Sequence, residues 1–83
     1  MIVARVEAHY DIIAAMAHYA RKDPALAHHF LDAIEEKINH ITQFPQSYPI
    51  KVKNQYRRAV LSKFPYSIYY KIEPDNTIVI TAV

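Results

Sequence analysis

Apolar residues recur along this chain with two different periods, and the switch between them outlines the fold. From about Ala8, Ile13, Met16, Ala17 and Ala20 fall at helical spacing, opposite a more polar set of Asp11, Ala15, His18 and Lys22. This predicts an amphipathic helix with the first set as its buried stripe. Asp23 followed by Pro24 then offers a side-chain cap and a residue whose fixed φ suits a first helical turn, so a second helix starts there rather than the first one continuing. Its apolar stripe is Ala27, Phe30, Leu31, Ile34, Ile38 and Ile41, with His28, Asp32, Glu35, Asn39 and Thr42 on the other face, and Pro45 ends it near Phe44.

Around the helices the pattern is that of strands. Residues 2–6 are β-rich and predict a short first strand. Residues 56–63, 66–73 and 77–83 are strand-length and rich in Val, Ile, Tyr and Thr, separated by Phe64-Pro65 and Pro74-Asp75-Asn76. Such short breaks imply an antiparallel meander. In the middle strand Tyr66, Ile68, Tyr70 and Ile72 alternate with Ser67, Tyr69, Lys71 and Glu73, so one face packs and the other meets solvent or a ligand. Residues 45–55 read as a connecting loop. The expected architecture is α+β: an N-terminal strand and a two-helix antiparallel hairpin packed on an antiparallel sheet, in a single domain over residues 1–83.

Composition removes many chemistries. The 83 residues include no Gly and no Cys, which excludes glycine-rich phosphate loops, dinucleotide fingerprints, thiol nucleophiles and cysteine-ligated zinc. With no Cys, no leader-like start and no apolar run near the roughly 20 residues a membrane helix needs, a reducing cytoplasm without membrane contact is the expectation. No cofactor is implied.

Charge changes the picture more than its sum of +2 suggests. Residues 51–71 carry Lys51, Lys53, Arg57, Arg58, Lys63 and Lys71 without a carboxylate, interleaved with Tyr56, Phe64, Tyr66, Tyr69 and Tyr70. An acidic or polyanionic partner suits such a surface. Arg57 and Arg58, adjacent on a strand, must point to opposite faces, one toward a ligand and the other toward a helix carboxylate such as Glu35 or Glu36. Lys51, Lys53 and Lys63 either grip phosphates or form a solvated basic edge. Tyr66 and Tyr70 belong with the core by parity, whereas Tyr69 shares the open face with Lys71; Tyr48 and Tyr56 have no assignment. Asp32, Glu36 and His40 recur every four residues, but such spacing is ordinary on a solvated helix face and no metal is expected.

The block Tyr56-Arg57-Arg58, then Phe64-Pro65-Tyr66-Ser67-Ile68-Tyr69-Tyr70, then Ile78-Val79-Ile80-Thr81-Ala82-Val83, following an Asp23-Pro24-Ala25-Leu26-Ala27 helix start, resembles the RelE/ParE toxin superfamily, and within it the plasmid-stabilization branch. The resemblance spans roughly residues 8–83. It implies the toxin of a bacterial type II toxin-antitoxin module, held inactive by a cognate antitoxin in a hetero-oligomer and acting either on DNA gyrase or on ribosome-bound mRNA. In cleaving members a short basic tail beyond the position of Val83 completes the ribonuclease site, and the sequence in hand ends at Val83. No catalytic residue is assigned. The titratable side chains of residues 51–71 are only Lys, Arg and Tyr, types of ordinarily high pKa, whereas general acid-base catalysis works best with a pKa near the operating pH, so gyrase inhibition is the first expectation, mRNA cleavage the second, and a remnant that only binds antitoxin the third. The candidate target-binding residues are Lys51, Lys53, Arg57, Arg58, Lys63, Tyr69 and Lys71.

Overall fold

The computed structural model describes residues 1–51 and 56–83. Elements follow in the order β1 (Ile2–Ala4), α1 (Val6–Ala20), α2 (Pro24–Gln43), β2 (Ile50–Lys51), β3 (Tyr56–Val60), β4 (Ser67–Ile72) and β5 (Ile78–Ala82). The helices form a hairpin over one face of a five-stranded sheet ordered β1-β5-β4-β3-β2. β3, β4 and β5 make the expected antiparallel meander. β1 joins it parallel to β5, with Ile2 opposite Ile78 and Ala4 opposite Ile80, so the sheet is mixed. β2 is an added edge strand antiparallel to β3 inside the segment expected to be loop.

The start of α2 follows from its first two residues. Asp23 stays extended and its Oδ1 accepts from the Ala25 N–H at 3.0 Å, while Pro24 fills a position whose N–H has no helical partner anyway. The stripe of α2 is buried as its spacing requires, through Ala27, Phe30, Ile34 and Ile41. α1 lies differently. Its buried side is Ala8 and Ala15, with Ile12, Met16 and Tyr19 packed beside them, whereas Ile13 is 60% exposed and Ala17 and Ala20 face solvent. Both sides of α1 carry apolar residues at helical spacing, and Tyr19 decides between them by packing its ring against Phe30, Phe64 and Tyr66. The helix is therefore rolled away from the expected stripe.

The turn from β4 to β5 has no glycine to use. Asn76 takes the left-handed backbone with φ 68°, its N–H bonding the Glu73 carbonyl at 2.8 Å, and Asn is the side chain that tolerates this region best after Gly. The Asp75 carboxylate accepts from the Thr77 N–H at 3.0 Å, and that bond holds its pKa below the usual Asp value. No helix is long and apolar enough to cross a membrane among the described residues.

Candidate functional site on the outer sheet face

Directly opposed residues on neighbouring strands share a face, so the register sorts every side chain. Ala59 with Ile68, and Ile72 with Ile78 and Ile2, face the helices; so does the row of Arg57, Tyr70, Ile80 and Ala4. The other face carries Val3, Val79 and Lys71 in one row, Ala82, Tyr69 and Arg58 in the next, and Val60 with Ser67 beyond them. Lys51 opposes Tyr56, which lies two residues before Arg58 and so on the same side.

A bulge shapes this outer face. The register slips between Tyr69 and Tyr70, so that Tyr69 opposes Ala82 while Tyr70 opposes Ile80, leaving Thr81 as the extra residue. Its hydroxyl donates to the Tyr69 carbonyl at 3.2 Å. Lys51, Tyr56, Tyr69, Thr81 and Ala82 line a shallow hollow of about 220 Å³ at this point. Arg58 lies beside it, its Nε donating to the buried Ser67 hydroxyl at 3.1 Å, and Lys71 pairs with Glu73 at 3.4 Å. That ion pair is partly exposed, where such pairs contribute little. The face thus joins Lys51, Arg58 and Lys71 to two tyrosines.

The remaining candidates lie elsewhere. Arg57 points to the helix side and does not meet Glu35 or Glu36: its Nη1 donates to the Tyr48 carbonyl at 2.7 Å and to the Gln46 carbonyl at 3.3 Å, binding the α2–β2 connection to the sheet. Lys63, in the β3–β4 connection, lines a groove of about 670 Å³ together with Asp32, Glu36 and His40 of α2. Lys53 lies outside the described residues. Tyr56, unassigned from sequence, belongs to the outer face, and its two-residue spacing from Arg58 is the signal that places it there.

Two tyrosines are structural. Tyr70 is wholly buried, donates its hydroxyl to the Pro45 carbonyl, and burial pushes its pKa up to about 12 despite the opposing pull of Arg57. Tyr48 meets the His40 ring through its hydroxyl, with the Lys37 ammonium 5.8 Å from its ring centroid, and its pKa is also raised by burial. All five histidines of the chain stand on α1 and α2, away from the outer sheet face. Among the described residues no three His, Asp or Glu side chains are grouped to hold a metal ion.

The family model described as the ParE toxin of the type II toxin-antitoxin system, parDE, matches residues 2–83. No curated protein sequence matches. Among solved structures, a chain of the chromosomal ParDE toxin-antitoxin system from P. aeruginosa superposes with a TM-score of 0.84 at 21% identity, over 98% of this chain and 89% of that one. At that identity the likeness is one of fold.

Proposed function

Because the chain belongs to the ParE toxin family of type II toxin-antitoxin systems, we propose that it inhibits DNA gyrase by binding it through the outer sheet face, and that its antitoxin partner competes for that surface. The observation that carries this reading is the division of side chains between the two faces of the sheet. Lys51, Arg58 and Lys71 stand with Tyr56 and Tyr69 on the open side, while every histidine stands on the helical side. Histidine is the side chain whose unperturbed pKa suits proton transfer near neutrality, so the open face is better equipped to bind than to catalyse. Arg and Tyr are also enriched at the centres of protein interfaces.

Cations beside aromatic rings equally form a platform for unpaired bases, which favours ribosome-dependent mRNA cleavage as the second reading. One pair of assays separates the two. The purified protein is added to gyrase supercoiling reactions and to a translating system whose mRNA ends are mapped by primer extension. Loss of supercoiling with intact mRNA, relieved by Arg58→Glu, is the expected result. New mRNA ends within translated codons at concentrations that spare gyrase would replace the gyrase reading. Activity in neither assay, with antitoxin binding retained, would identify a remnant that serves only as an antitoxin ligand.

A further inference from the structure

α1 is apolar on two opposite sides and the fold covers only one of them. Along its 15 residues Glu7 and Asp11 are the only carboxylates and there is no Lys or Arg. Asp11 is already engaged, its Oδ2 accepting from the Val83 N–H at 3.0 Å. Opposite the buried Ala8 and Ala15, the outward stripe runs through Val6, Tyr10, Ile13 and Ala17, positions separated by four, three and four residues. Val6 is 57% exposed, Tyr10 66% and Ile13 60%. A second apolar stripe on a surface helix is more than packing against its own sheet requires.

The order of sizes along the stripe says what covers it. Bulky residues, Val6, Tyr10 and Ile13, occupy its first half, and the small Ala17, with Ala14 and Ala20 flanking it, its second. Two copies of this stripe laid antiparallel about an axis near Ile13 bring Tyr10 of each over Ala17 of the other, with the two Ile13 side chains meeting at the axis. Large side chains then enter gaps left by small ones, as close helix packing requires. The same arrangement brings Glu7, near one helix start, toward Arg21, which caps the end of the other, and sets the two helix dipoles in opposition. A parallel pairing would stack bulk on bulk and lose both effects.

We propose that α1 is a self-association surface: a second copy of this chain docks on it through an antiparallel α1–α1 contact. This contact lies on the helical layer, away from the outer sheet face, and stands or falls independently of the gyrase reading. One helix face per copy is a small interface, so the dimer is a weak one, with a dissociation constant of roughly micromolar or above.

Sedimentation equilibrium of the full chain across a wide concentration range tests it. A monomer–dimer equilibrium is expected, abolished by Ile13→Asp and weakened roughly tenfold by Glu7→Arg or Arg21→Glu alone. The double exchange Glu7→Arg with Arg21→Glu should restore most of the lost association, because the antiparallel register makes those two residues partners across the axis. Circular dichroism of each variant should match the parent, and the denaturation midpoints should stay close to it, lowered slightly where the charge exchanges at Glu7 and Arg21 act against the helix dipole. A parent chain that stays monomeric throughout overturns the proposal. So does a dimer that Ile13→Asp leaves intact, and a double exchange that is no better than the single ones overturns the antiparallel register.

Discussion

Arg57 donates to the backbone carbonyl of Tyr48 at 2.7 Å, although the two belong to different parts of the chain and the arginine's immediate neighbour, Arg58, faces the opposite side of the sheet. The adjacent pair therefore divides its work between architecture and surface. Replacing Arg57 with Ala should cost about 1.5–3 kcal/mol, the range for hydrogen bonds that involve a charged group. Arg58→Ala loses only an exposed cation and its bond to Ser67, and should cost distinctly less. Urea denaturation of the two variants checks the ordering; equal losses would mean that Arg57 does not anchor the connection.

Tyr70 opposes Arg57 in β4 and ties the same connection from below, through Pro45. Its folded pKa of about 12 lies above the ordinary 10 of the unfolded chain. The stabilisation from its protonated form is therefore complete below pH 10 and is lost as pH rises from about 10 through 12, by about 1.4 kcal/mol for each unit of separation. Tyr19 and Tyr48, also raised by burial, add to the same alkaline slope. Stability measured across this range should fall less steeply in Tyr70→Phe than in the parent. That variant should also be less stable at neutral pH by about 1–3 kcal/mol, because the Pro45 carbonyl loses its donor.

The two helices offer a paired test of packing. Ile34 is 2% exposed and Ile34→Ala should cost about 2–5 kcal/mol. Ile13→Ala, on the exposed side of α1, should change stability by less than about 0.5 kcal/mol in dilute solution. Denaturant midpoints of the two variants check this, and a large loss at Ile13 would return it to the core.

How much of this was legible in the sequence depended on whether a local pattern had one solution. Around α2 it did: Asp23-Pro24 fixes the start, one stripe is apolar and the other charged, and the structure follows. Around α1 two stripes competed, and the choice between them rested on the contact of Tyr19 with Phe30 and Phe64, side chains far along the chain. Parity along the strands correctly put Tyr70 inside and Tyr69 with Lys71 outside. It could not say that Lys63 lies beside α2, because parity ends where the strand does, at Val60. The two-residue strand β2 was hidden between Pro49 and the basic loop, too short for any alternation to show.

Asn76 takes the left-handed position of the β4–β5 turn in a chain without glycine. Asn76→Val places a β-branched side chain in the left-handed region and should cost roughly 1–2 kcal/mol, whereas Asn76→Gly should be close to neutral. Thermal denaturation of both variants reads this out; indifference to Val would mean that the turn adopts another conformation in solution.

Charge on the outer sheet face should govern the encounter with the antitoxin. An acidic, amphipathic segment folding onto the outer sheet face would neutralise Lys51, Arg58 and Lys71 while covering Tyr69 and the exposed Val3. Exposed charges at such a surface act mostly on the rate of association, through long-range attraction that salt screens within about 10 Å at 0.1 M. Reversing Lys51, Arg58 and Lys71 to Glu should slow association at low salt by at least tenfold and flatten its dependence on ionic strength. Lys63→Glu, in the groove beside α2, is the matched control, since it alters a neighbouring charge on the other side of the sheet. Stopped-flow kinetics at low and high salt distinguish the two faces. If Lys63→Glu slows binding while the triple reversal does not, the partner enters by the α2 groove and the outer sheet face is left for the toxin's target alone.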